Sequence, residues 1–119
     1  MKLFGLCLTM LIKAIAIVES DDGKTSENVY QITDIYIKDL NRLYNPPYHP
    51  RDKYIRSISE MMMYDYWRHY GYQYVKKTGN QITYEVLARI HNGGPDGWKK
   101  ESTKKYWHKV ERVLKSLMK

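Results

Sequence analysis

Cysteine is almost missing from this sequence: of 119 residues only Cys7 is one, and it lies in the apolar N-terminal stretch. The chain therefore cannot form an internal disulfide bond, which excludes the disulfide-stapled scaffolds of small extracellular domains. Phenylalanine is equally scarce, since Phe4 is its single instance, whereas there are 12 tyrosines and 3 tryptophans. We therefore expect tyrosine and tryptophan rings to fill the core, with hydrogen-bond partners for their polar atoms.

Long apolar runs are also lacking. The most apolar stretch, Leu3–Leu11, is far shorter than the roughly 20 residues that a membrane-spanning helix needs. With Lys2 before it and small residues after it, this stretch predicts a secretory signal peptide at residues 1–20, although Lys13 leaves an uncleaved signal as the alternative. The mature protein would then be one secreted domain of residues 21–119, without cysteine.

Acidic residues are few in the C-terminal part of the chain. The net charge is +7 overall, and the segment from Gly97 to the end holds eight basic and two acidic residues. Such a segment favours anionic partners, which include cell-wall glycan, other anionic surfaces and anionic membranes; the alternative is a solvated face without a partner. Aromatic and basic residues interleave at Tyr66–Tyr70, but their helical spacing indicates core and rim, so we expect no nucleic-acid partner.

Apolar residues recur at helical spacing in four segments, and no segment alternates with a period of two for long. The periodicity predicts helices at about Glu27–Asn45, Arg51–Tyr70, Tyr84–His91 and Ser102–Met118. Gly71 is expected to end the second helix, and the alternative is that Tyr72–Lys77 continues it as a ragged helical turn. The expected fold class is therefore all-α, a small domain of about four helices.

The most informative stretch is Tyr84–Val110. It contains Ala-Arg-Ile-His-Asn-Gly-Gly-Pro-x-Gly, followed by Thr-x-x-Tyr-Trp. The residues in these two motifs are Ala88, Arg89, Ile90, His91, Asn92, Gly93, Gly94, Pro95, Gly97, Thr103, Tyr106 and Trp107. They resemble the C-terminal signature of the invertebrate-type, or destabilase-like, lysozymes. The resemblance covers most of residues 30–115, and family cysteines would fall at Tyr84 and Trp98.

The resemblance implies a lysozyme-like domain that acts on bacterial cell-wall glycan. The family's first helix carries Cys-x-x-Cys-x-Cys-x-x-Glu-Ser, and laying this pattern on Ile32–Asn45 puts Tyr44 at the position of the catalytic Glu. The family's catalytic Asp lies in a β-hairpin region, for which only Asn45–Pro50 is left here. Retaining glycosidases need two carboxyl groups about 5–5.5 Å apart. We therefore predict a catalytically degenerate, glycan-binding protein in a defence-type role, with no catalytic residue. The expected substrate-binding residues are Tyr44, His91, Asn92, Tyr106 and Trp107.

Three other functions stay open at this point. An active muramidase would need relocated carboxylates, and the candidates are Asp39, Asp52, Glu60 and Asp65. An isopeptidase, an activity proposed for the family, would use His91 with a serine that the sequence does not identify. A membrane-active protein would use the basic final helix. The four histidines are scattered and no cysteine joins them, so we expect no metal and no cofactor.

Overall fold

The computed structural model describes residues 1–119 and contains five α-helices and one very small antiparallel sheet. Its elements are β1 (Lys2–Leu3), β2 (Leu6–Cys7), α1 (Thr9–Ser20), α2 (Asp34–Leu43), α3 (Arg56–Thr78), α4 (Tyr84–Gly93) and α5 (Ser102–Leu117). Short 3-10 turns lie at Pro50–Tyr54 and Gly97–Lys99. The predicted mainly helical fold is confirmed, with one helix and one hairpin more than the periodicity indicates.

The additional helix, α1, lies in the segment interpreted above as a signal peptide. Its side chains fill the centre of the core, and α1 packs mainly against α5. The residues of this segment that are buried and apolar are Leu8, Leu11, Ile12, Ala14, Ile15 and Ala16. None of the helices combines the length and the apolar character needed to cross a bilayer. Cleavage after Ser20 stays a prediction, and it would remove this part of the core.

The predicted end of the second helix at Gly71 is wrong, because α3 continues through it to Thr78. The helix ends instead at Gly79, whose positive φ of 72° suits the residue after a helix. Gly71 lies inside the helix, and the ring of Phe4 packs onto it. A Cβ at that position would lie 2.7 Å from the ring, so glycine here permits close packing of the N-terminal hairpin.

Two threonines set the starts of the helices that carry the site. The side chain of Thr33 accepts a hydrogen bond from the Tyr36 N–H, and α2 therefore begins at Asp34, later than its apolar period indicates. Thr83 caps α4 in the same way, since its side chain accepts from the Val86 N–H. Both caps fix the chain direction just before residues that line a cleft.

The loop between α4 and α5 is held by Arg89, which is buried. Its Nε donates to the Thr103 hydroxyl at 2.8 Å, and one Nη donates to the Lys100 carbonyl at 2.8 Å. Gly97 lies directly on the Arg89 carbonyl, where a Cβ would come within 2.0 Å of the oxygen. The glycine-rich turn thus has a fixed position relative to α4.

Candidate functional site

An open cleft of about 890 Å³ lies between the end of α1, α2, α3 and the glycine-rich turn; we call it the main cleft. Its volume is within the usual range for ligand sites, about 300–1,000 Å³. Charged side chains line it at Glu19, Lys38, Asp39 and Arg42, with tyrosines between them. The turn Asn92–Pro95 forms one wall.

Glu19 marks one end of the main cleft. It lies in the last turn of α1, and its side chain is 16% exposed. One carboxylate oxygen accepts a hydrogen bond from the Tyr106 hydroxyl at 3.1 Å and lies 3.5 Å from Nε2 of His91. Burial, together with the neighbouring Glu19 charge, raises the pKa of Tyr106 well above its ordinary value. Tyr106 therefore keeps its proton and remains a donor to Glu19.

His91 forms part of the cleft floor and is 6% exposed. Its Nε2 lies 2.8 Å from the Tyr30 carbonyl oxygen, which can only accept, so Nε2 carries a proton. In the neutral ring Nδ1 then accepts from the Tyr36 hydroxyl at 3.2 Å. Both ring nitrogens are engaged, and the histidine joins α4, α2 and the segment before α2. His91 therefore connects these segments, and neither ring nitrogen is left unengaged to act as a general base.

A row of tyrosines continues from His91 along the floor. Tyr36 and Tyr66 stack with their ring centroids 3.8 Å apart, and the edge of Tyr70 meets Tyr66 at 4.8 Å. Burial is the main reason that the pKa values of all three phenols are raised. These rings stay neutral and provide an aromatic floor with hydroxyl groups at its edges.

Asp39 ends the row on the far side from Glu19. One of its oxygens accepts from the Tyr70 hydroxyl, and the other pairs with Arg42. Each oxygen of this carboxylate thus has one partner, and one of the two partners is a cation. The main cleft therefore holds two carboxylates, Glu19 and Asp39, with the tyrosine row between them.

The structure brings together only some of the residues predicted to bind substrate. His91 and Asn92 line the main cleft, and Tyr106 holds Glu19 from beneath. Tyr44 does not line it: its hydroxyl donates to the Asp65 carbonyl at 3.3 Å, and the Arg68 guanidinium lies 5.2 Å from its ring. Trp107 lines a different groove of about 360 Å³, beside Leu114 and Met118.

Sequence reasoning missed Glu19, because residues 1–20 were interpreted as a signal peptide. The family's spacing of three cysteines followed by Glu-Ser fits α1 as well as the segment chosen above. In α1 the cysteine positions hold Leu11, Ala14 and Ala16, which are 0%, 0% and 1% exposed, and the pair Glu19-Ser20 follows. A Glu-Ser pair at the end of a helix, after apolar residues at that spacing, is the signal that would have found it.

The main cleft offers few groups for isopeptide cleavage or for metal binding. No serine lines it, and the buried hydroxyl of Ser20 donates to the Val29 carbonyl at 2.7 Å, so His91 has no nucleophile beside it. No group of three histidine, cysteine or acidic side chains is arranged to hold a metal ion. The cleft is thus a polar and aromatic site whose titratable end groups are carboxylates.

Comparison with known proteins gives partial matches. No family model matches the chain. It is 44% identical over 45 residues to a lysozyme of Magallana gigas, a match covering 38% of this chain and 33% of that protein. It is 41% identical over 46 residues to a lysozyme of Meretrix lusoria, covering 39% and 38%. A lysozyme of Ostrea edulis is 43% identical over 44 residues, covering 37% and 32%. The chain therefore spans about a third of the length of the curated relatives it matches.

Proposed function

Because the chain is related to the lysozyme family, we propose that it binds peptidoglycan-type glycan in the main cleft and hydrolyses it poorly or not at all. The observation that carries this proposal is the state of the two cleft carboxylates. Glu19 accepts a hydrogen bond from Tyr106 at one end, while Asp39 is bonded through both oxygens at the other. An extracellular, defence-type role, with contact to anionic bacterial surfaces, belongs to the same proposal.

Binding is supported by the size and lining of the main cleft. Ile35 lines it with 80% of its surface exposed, the largest exposed fraction among the large apolar side chains of the chain. Gln31 and Asn92 add exposed amide groups that can bond to sugar hydroxyl and acetamido groups. Apolar surface with a few directed polar groups is the usual composition of a small-molecule site.

Weak hydrolysis is supported by what lies between the acids. Retaining enzymes need carboxyl groups about 5–5.5 Å apart, and inverting enzymes need about 6.5–9.5 Å with room for a water molecule. Here the two acids are linked by a run of contacts that includes the stacked rings of Tyr36 and Tyr66. Arg42 also compensates the charge of Asp39, which weakens its stabilisation of an oxocarbenium ion.

An active glycoside hydrolase is the second candidate. The observation that favours it is that Glu19 and Asp39 line one cleft, and Glu19 is largely withdrawn from water. In that case Glu19 would protonate the leaving oxygen, and Asp39 would act from the other end. The alternatives of an isopeptidase and of a cationic membrane-active protein draw no support from the cleft.

Binding is tested by sedimentation of the protein with insoluble peptidoglycan. We expect Ile35→Ala to weaken binding about fivefold to tenfold, because it removes exposed apolar contact surface from the main cleft. Ile55→Ala is the matched control, since Ile55 is 47% exposed and does not line the cleft. Equal affinity of the two variants would contradict the proposed site.

Turnover is tested with the turbidity of a peptidoglycan suspension, using heat-denatured protein as the blank. We expect no clearing above that blank for the unaltered chain, and no change for Glu19→Gln. Glu27→Gln is the charge-matched control on an exposed residue outside the cleft. Clearing that Glu19→Gln abolishes and Glu27→Gln preserves would establish the hydrolase instead.

A further inference from the structure

A second hollow of about 280 Å³ adjoins the main cleft; we call it the Trp98 hollow. Arg42, Tyr70 and Pro95 line both spaces, so the two hollows share one rim. Beyond that rim the Trp98 hollow is lined by His69, Gln73, Tyr74, Lys77, Asp96 and Trp98. The two hollows are therefore adjacent, and a glycan chain that extended from the main cleft past Arg42 would meet the Trp98 hollow next.

We propose that the Trp98 hollow is an additional carbohydrate subsite, which lets the protein hold a glycan chain longer than the main cleft alone accommodates. This inference rests on the proposed function.

The indole of Trp98 has the setting that sugar binding requires. It is half-buried, and Tyr74 meets it edge to face with the ring centroids 5.0 Å apart, which fixes its orientation. Lys99 lies above the ring at 5.7 Å, but its side chain is 59% exposed and can move aside. A sugar presents C–H groups on its face, and these pack on an aromatic ring.

The polar groups around the indole suit the edge of a sugar. Gln73 and His69 offer donors and acceptors at partly exposed positions. Lys77 and Asp96 are 3.6 Å apart and about half exposed, so their charges are loosely paired and accessible to hydroxyl groups. The composition repeats that of the main cleft, with one aromatic surface and a few polar groups at its border.

The experiment is a nuclear magnetic resonance titration of the isotope-labelled protein with the dimer and the hexamer of N-acetylglucosamine. The indole N–H signals report on three separate places: Trp98 in its hollow, Trp67 bonded to the Leu87 carbonyl in the core, and Trp107 in the distant groove. We expect the hexamer to shift the Trp98 signal, and the dimer to shift main-cleft signals while leaving Trp98 unchanged. Trp107 is the internal control, whereas Trp67 packs edge to face against His91 with the ring centroids 6.4 Å apart and so reports on the main cleft.

Two variants test the same inference by affinity. Trp98→Leu should weaken hexamer binding about tenfold, the scale of one lost aromatic stacking contact, and leave dimer binding unchanged. Gln73→Ala, which spares the packing of the indole, should act in the same direction with a smaller effect. Tyr54→Leu is the control, since Tyr54 is 53% exposed and lines neither hollow.

The outcomes separate the two proposals. Hexamer binding that leaves the Trp98 signal and both affinities unchanged overturns the subsite and leaves the main cleft as the glycan site. Absence of any oligosaccharide binding overturns the proposed function and the subsite together. A hexamer shift at Trp98 with loss of affinity in both variants supports both.

Discussion

Helices α1 and α5 pack against each other, yet the position of α5 in the fold can be predicted from its sequence and that of α1 cannot. In α5 the buried Trp107, Val110 and Leu114 lie on one side and lysines on the other, so its orientation can be predicted from the period. In α1 apolar residues lie on most sides, and only Lys13 and Glu19 are charged. A one-sided apolar period therefore identifies a half-exposed helix such as α5. A segment that is apolar on all sides is typical both of a buried core helix and of a cleaved signal peptide, so its sequence does not distinguish the two.

The two helices also run in opposite directions, which places Glu19 at the cleft. At the end of α1, Glu19 accepts from Tyr106 near the start of α5. At the beginning of α1, the Cys7 carbonyl accepts from Tyr84, whose neighbours in the distant groove include Leu114 near the end of α5. The hydrogen bond between α1 and α5 thus lies at the end of α1 that lines the main cleft. The rest of α1 is held by the burial of its apolar side chains.

Removing α1 tests the comparison most severely. We expect a chain of residues 21–119 to lose cooperative unfolding, because the deletion removes six buried apolar side chains from the core. Circular dichroism with urea titration measures this. Deletion of Met118 and Lys119, both exposed, is the control and should leave unfolding unchanged. A native, cooperative 21–119 chain would contradict our account and support the predicted cleavage.

Single core truncations compare the two helices directly. Leu11→Ala in α1 and Leu114→Ala in α5 should each lower the free energy of unfolding by about 2–5 kcal/mol, because both side chains are buried. Urea unfolding of the two variants gives the values. If Leu11→Ala costs less than about 0.5 kcal/mol, the value typical of surface changes, α1 is not part of the folded core.

As the pH becomes alkaline, we expect the N-terminal region to lose stability at a lower pH than the α4–α5 pair does. Tyr30 donates to Glu60 and so connects the segment before α2 to α3. Burial is the main cause that raises the pKa of Tyr30, and this hydrogen bond is the second cause. The neutral phenol is the stable form in the fold. Its contribution is therefore complete below pH about 10, the unfolded pKa, and is lost as the pH rises toward the raised folded value.

The expected slope is at most about 1.4 kcal/mol per pH unit for each such tyrosine. Tyr30→Phe should flatten the fall of unfolding free energy above pH 10 by about that share, and Tyr72→Phe, at an exposed position, should not. The bonds of Arg89 to the Thr103 hydroxyl and the Lys100 carbonyl involve no tyrosine. Amide exchange at pH 10–11 that rises in α4 and α5 before α1 would contradict the prediction.

The smallest effect concerns the hydrogen bonds at the two ends of α1. Tyr106→Phe should cost about 1–2 kcal/mol, because its hydroxyl donates to a partly buried carboxylate. Tyr84→Phe should cost about 0.5–1 kcal/mol, because its acceptor is a neutral and exposed carbonyl. Thermal unfolding of both variants measures the order, and the reverse order would show that the Glu19 end is not the anchored one.

Much of the C-terminal half could be predicted from local sequence. Thr83 as a cap, the start of α4 at Tyr84, and the extent of α5 from Ser102 all follow from short-range rules that the structure obeys. The end of α3 could not be predicted. Gly71 matches a helix end locally, but the ring of Phe4, distant in sequence, packs on it and leaves the helix uninterrupted.

The residues of the candidate site also divide into those that a local motif indicates and those that only the fold brings together. Asn92 and His91 were found because their motif is continuous in the chain, and both line the main cleft. Tyr44 was placed at the acid position by a register that only the sequence supported, while the structure puts Glu19 in the cleft instead. Helix length does not choose between the two registers, because α1 and α2 contain 12 and 10 residues.

The sequence by itself determined that the chain is mostly helical, that α5 is amphipathic and basic, and that residues 88–107 resemble a lysozyme signature, because periodicity and contiguous motifs are local properties. Only the tertiary structure decided that α1 belongs to the core and that Glu19 faces Asp39 across a row of tyrosines. Those contacts join residues far apart in the chain. Burial and packing, which no local pattern records, bring them together.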